Sequence, residues 1–66
     1  MGRVRRSGFI IEWFIGDHEP LHIHVYDAKG SFLGRLDLKT MTGVEGWIPS
    51  RKLRDLVQKL KVEGIL

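Results

Sequence analysis

The chain's three histidines, His18, His22 and His24, all fall in the stretch GDHEPLHIHV at positions 16–25. His22 and His24 alternate with Leu21, Ile23 and Val25, so in an extended chain both imidazoles leave one face and the apolar side chains leave the other. At a strand rise of ~3.3 Å per residue their Cα atoms stand about 6.5–7 Å apart, a gap that two imidazoles can bridge to one ion or one phosphate. His18 lies across Pro20 and reaches the same place only if the turn folds back, carrying Asp17 and Glu19 with it.

Four readings fit this pattern. As metal ligands, His22, His24 and His18 or a carboxylate supply three N/O donors and leave a position open, which suits zinc or another divalent transition metal. Without a metal, His22 and His24, with His18 as a third member, form an acid–base set for a ribose 2′-hydroxyl and its phosphate, because imidazole ordinarily exchanges protons near neutrality. Arg35 or Arg51 would then stabilise phosphate charge. As a binding platform, His22, His24 and Tyr26 offer stacking and hydrogen-bonding groups to single-stranded nucleic acid. The fourth reading is an ordinary hydrogen-bonded corner of a sheet. Arg35 and Asp37 divide in the same way: they either flank the histidines and orient an imidazole, or form a solvent-facing cross-strand ion pair.

The elements that would position these groups follow from periodicity. GFIIEWFI places Phe9, Ile11, Trp13 and Ile15 on one face of a strand and Ile10, Glu12 and Phe14 on the other. GDHEP is a turn, and LHIHVYD is a second strand with the clearest period of two in the chain. DAKG makes a tight turn, with Asp27 at its first position and Gly30 as its left-handed residue. The third strand, SFLGRLDL, points Phe32, Leu36 and Leu38 inward and Arg35 and Asp37 outward, and VEGWI reads as a short fourth strand with Val44 and Ile48 toward the core. Pro49 then closes the sheet. Ser50 is an N-cap, Leu53, Leu56, Val57 and Leu60 recur at helical spacing to about Val62, and Gly64 stops the helix. The expected fold is a two-layer α+β domain, an antiparallel meander of three to four strands packed by one C-terminal helix. Residues 1–7, with Arg3, Arg5 and Arg6, read as a flexible basic arm ahead of a single domain at 8–66.

Composition narrows the classes further. A chain of 66 residues holds one domain and buries only about 60% of its unfolded surface, so self-association through an edge strand or through Trp13, Phe14 and Trp47 is a natural expectation. There is no cysteine, which excludes disulfides, thiolate metal sites and a Cys nucleophile, and fits a cytoplasmic protein. No apolar run is long enough for a membrane span or a signal peptide. Eleven Lys and Arg against eight Asp and Glu give +3, a mild lean toward anionic partners.

The order of these pieces is itself distinctive. A Gly-Phe-Ile-Ile strand, DHEPLHIHV, an alternating strand, GVEGWIPSRKL and a terminal amphipathic helix together resemble the small bacterial family known as domain of unknown function 4160. The resemblance runs from about Gly8 to Leu60 and is carried by Asp17, His18, Pro20, His22, His24 and Val25, then by Gly46, Pro49 and Arg51. The family pattern Asp-His-Asn-Pro-Pro-His-x-His-Val is changed here at Glu19 and Leu21. The resemblance implies one half of a bacterial two-gene module: a toxin paired with a small antitoxin-like protein. Since many such toxins cleave RNA, it implies RNA as the target and ribonuclease as the activity. The leading expectation is thus a toxin-like protein that binds or cleaves RNA through its histidines. The alternatives are a non-enzymatic protein-interaction module and a histidine-based metal-binding domain.

Overall fold

The protein is described from a computed structural model over residues 2–14 and 22–66. The turn expected at GDHEP, with Asp17, His18 and Glu19, lies outside the described residues, as do Ile15 and Leu21. Among the described residues five strands, β1 (Gly2–Arg6), β2 (Phe9–Trp13), β3 (His22–Asp27), β4 (Phe32–Asp37) and β5 (Thr42–Gly43), are followed by a 3-10 turn (Val44–Gly46) and one helix, α1 (Arg51–Val62). The strands lie side by side in chain order, each antiparallel to the next. The two-layer α+β meander with a C-terminal helix is therefore the fold, with five strands in place of three or four.

One face of the sheet meets the helix. Leu53, Leu56, Val57 and Leu60 from α1 pack with Ile11, Trp13, Ile23, Val25, Leu36 and Leu38 into a single buried cluster, the arrangement that spacings of two on the strands and three to four on the helix demand. The helix has defined ends. The Leu53 amide donates to Ser50 Oγ at 3.2 Å. At the other end the Ile65 amide reaches Leu60 O and the Gly64 amide reaches Lys61 O, a Schellman closure that uses the left-handed Gly64 at φ 81°. Replacing Ser50 with Ala removes the cap acceptor and is expected to lower the unfolding free energy by about 1 kcal/mol; urea denaturation followed by circular dichroism checks this. No helix among the described residues is long and apolar enough to cross a membrane.

Three expectations are corrected. The basic arm is strand β1. Val4 between Arg3 and Arg5 keeps the period of two, and Ser7 and Gly8, both at positive φ (56° and 82°), close a two-residue hairpin onto β2. The fourth strand is not VEGWI. Pairing with β4 ends at Gly43, and the positive φ of Glu45 and Gly46 lifts the chain out of the sheet. Val44 is half-buried and Ile48 is 88% exposed, so neither forms the core that the period suggested. Trp47 packs on it instead, its indole lying over Gly34. Phe32, expected inward, is 56% exposed, because a bulge intervenes: Val25 faces Gly34, whereas Tyr26 faces Phe32. The extra residue, Leu33, switches the facing of the strand start.

Candidate nucleic-acid interface

Among the described residues a single helix covers a single face, and the other face of the sheet is built by the alternate residues of the same strands. From β1 these are Arg3 and Arg5, from β2 Ile10 and Glu12, from β3 His22, His24 and Tyr26, and from β4 Phe32, Arg35 and Asp37. Register sets their rows: Arg3, Glu12, His24 and Arg35 lie across the sheet in one line, and Arg5, Ile10, Tyr26 and Phe32 in the next. The period of two in LHIHVYD thus delivers His22, His24 and Tyr26 to one surface.

The rings form a connected strip. His22 and His24 have centroids 5.6 Å apart, and His24 is also 5.6 Å from Phe14 and 6.2 Å from Phe32, both edge-on. Phe32 in turn meets Tyr26 edge-on at 5.5 Å. These spacings lie in the range that aromatic pairs favour. His22 is exposed, while His24 and Tyr26 are half-buried between their neighbours. Phe14 and Phe32 each leave 56% of their surface open, and both touch His24, so their exposure belongs to one contiguous patch. Ile10 is 6% exposed and forms an apolar floor between Arg5 and Tyr26.

Charge surrounds this strip. Arg3 and Arg5 are exposed on the β1 side. On the β4 side Arg35 stands opposite His24 and pairs with Glu45 through Nη2 at 2.9 Å. Asp37 faces His22 in register, but its Oδ1 accepts from the Lys39 amide at 2.8 Å and the Thr40 amide at 3.3 Å. That oxygen therefore belongs to the turn after β4, and the surface ion pair of Arg35 goes to Glu45 instead of Asp37.

The structure thus brings His22, His24, Tyr26 and Arg35 together. It does not bring Arg51 with them. Arg51 begins α1 on the opposite layer, 89% exposed in its side chain and 3.9 Å from Asp55. The place of His18 lies outside the described residues. Among the described residues no group of three or more His, Asp or Glu side chains stands where it could hold a metal ion. Phe14 and Phe32 are members of the strip that the sequence did not assign to the site, Phe14 being expected in self-association and Phe32 in the core. Phe14 had a usable signal, since it shares the parity of Glu12; Phe32 had none, since the bulge reverses its parity.

No curated protein and no solved structure matches the chain significantly. Residues 8–62, from the start of β2 to the end of α1, match the family model described as Domain of unknown function (DUF4160), and the chain belongs to that family.

Proposed function

We propose that the uncovered sheet face binds single-stranded RNA and that His22 and His24 cleave it, so that the protein acts as the toxin-like member of a module with a small antitoxin-like partner. The observation that carries this reading is the strip of five rings, His22, His24, Phe14, Phe32 and Tyr26, lying open between arginines. Bases stack on exposed aromatic side chains whatever their sequence, and arginines follow the phosphates. A sheet face with rings at its centre and Arg3, Arg5 and Arg35 at its margins supplies both.

The pairing of imidazoles favours cleavage over binding alone. With ring centres 5.6 Å apart, one imidazole can take the proton of a ribose 2′-hydroxyl while the other gives a proton to the leaving 5′-oxygen. The 2′-oxygen forms its bond to phosphorus as the bond to the 5′-oxygen breaks, leaving a 2′,3′-cyclic phosphate and a new 5′-hydroxyl. Arg35, opposite His24, is the guanidinium best placed for the charge that grows on the phosphate.

Fluorescence anisotropy with a labelled single-stranded oligoribonucleotide tests the binding step. Phe32→Ala is expected to weaken binding by about tenfold, the loss of one stacked base at ~1–3 kcal/mol. The mutation sits on an exposed ring, so the fold stays intact. Equal affinity for both proteins would dismiss the platform. Glu45→Gln is expected to act in the opposite sense. Glu45 is 79% exposed in its side chain and holds Arg35, so its neutralisation frees the guanidinium and tightens RNA binding by about two- to fivefold at low salt. The same titration measures it, and a weaker complex would remove Arg35 from the proposed phosphate contacts.

A further inference from the structure

The outer side of β1 is a sheet edge whose main-chain groups are distinct from the rings of the open face, though Arg3 and Arg5 border both. β1 pairs with β2 alone, and among the described residues no strand lies on its other side. Because the hairpin closes through Ser7 and Gly8, the flanking residues Arg6 and Phe9 form a hydrogen-bonded pair, and so in alternation do Val4 with Ile11 and Gly2 with Trp13. The N–H and C=O groups of Arg3 and Arg5 must then point outward, away from β2. Their side chains project on the open face and are exposed, while Val4 turns toward the helix side and packs against the core. Arg6 is already occupied by Glu63, at 2.8 Å.

We propose that the β1 edge captures an extended acidic segment of another protein as a sixth strand, read by the pattern acid–apolar–acid. Strand addition gives the main-chain hydrogen bonds, and alternate side chains give the selectivity. Residues of the added strand opposite Arg3 and Arg5 come within about 5.5 Å of them on the same face, where opposite charges attract and like charges repel. The residue between them faces Val4 on the helix side and extends the core there. The pattern reads the same in either direction, so parallel and antiparallel segments both fit. A second copy of this chain is the wrong occupant: antiparallel pairing of two β1 strands about Val4 sets Arg3 against Arg5 twice. β1 precedes the residues matched to the family, 8–62.

The test uses the isotope-labelled chain, with NMR amide shifts and hydrogen exchange, and three short capped peptides: one centred on glutamate–valine–glutamate, one on lysine–valine–lysine, and one with its two glutamates adjacent. The alternating acidic peptide is expected to shift and protect the amides of Arg3 and Arg5 and to bind about tenfold tighter than either other. The Arg3→Glu/Arg5→Glu variant is expected to reverse the order and prefer the lysine peptide, which also shows that the variant is folded. Equal binding of the two acidic peptides, no protection at Arg3 and Arg5, or protection that grows with protein concentration without peptide would each overturn the proposal. So would shifts confined to His24, Tyr26 and Phe32, which would assign the acidic peptide to the open face that RNA is proposed to occupy.

Discussion

Replacing Gly34 with Ala lowers the unfolding free energy by about 1–3 kcal/mol, the usual cost of forcing volume into a packed site, and displaces Trp47. The hydrogen of Gly34 occupies a place where a Cβ would come within 2.3, 2.6 and 2.7 Å of three atoms of the Trp47 ring system. Real contacts are never that short, so the indole has to move. It has little room to do so, because its own carbonyl lies against Gly43, where a Cβ would be 1.7 Å from Trp47 O, and its amide donates to Val44 O at 3.2 Å. In a domain of this size about 1–3 kcal/mol is a large share of the total, at roughly 0.05–0.15 kcal/mol per residue. The expected readings are a lower urea midpoint and a Trp emission shifted toward that of exposed indole. Because the cost passes through one contact, Gly34→Ala combined with Trp47→Ala should be less destabilising than the sum of the two by about 1 kcal/mol. Full additivity would show that the clash is absorbed elsewhere.

Gly34 also explains why parts of the fold were legible in the sequence and parts were not. Where one residue type decides the local geometry, the chain declares it. His22 to Tyr26 alternate, Ser50 caps, Gly64 ends the helix, and each does so in the structure. The turn at Asp27 is of the same kind. Its Oδ1 accepts the Lys29 and Ser31 amides, each at 2.9 Å, and Gly30 takes φ 90° as expected of a left-handed residue.

The errors arise where partners distant in sequence decide. Phe32 has the parity of Leu36 and only its pairing with Tyr26 across the bulge turns it out. Val44 and Ile48 have the period of a strand, yet Trp47 fills the hollow over Gly34 and takes the chain away from the sheet. β1 hides behind its composition, since two arginines flanking one valine read equally as a solvated arm until Ser7 and Gly8 fold it back. For the interface the same division holds. Sequence placed His22, His24 and Tyr26 together and set Arg35 beside them, but no local rule could deliver Phe32 to His24, or Glu45 to Arg35 across the turn.

The largest functional effect is expected from His22→Ala/His24→Ala. If the two imidazoles are the acid and the base, each contributes about 10²–10⁴-fold to the chemical step, and because they act as a unit the double variant loses about as much as either single one. Stacking on Phe14, Phe32 and Tyr26 persists, so RNA binding should fall far less than cleavage. The fold should persist as well: His22 is exposed, His24 is half-buried, and among the described residues no side-chain hydrogen bond links either to the rest of the protein. In a bacterial host, induced expression of the wild-type chain should slow growth and the double variant should not. With purified protein and a labelled oligoribonucleotide, the wild type should leave 2′,3′-cyclic phosphate ends. The separation of the two steps makes the result decisive. Slowed growth and cyclic ends that survive in the double variant would remove the histidines from the chemistry, while a variant that keeps RNA affinity but loses both would locate cleavage at the pair and leave binding to the rings around it.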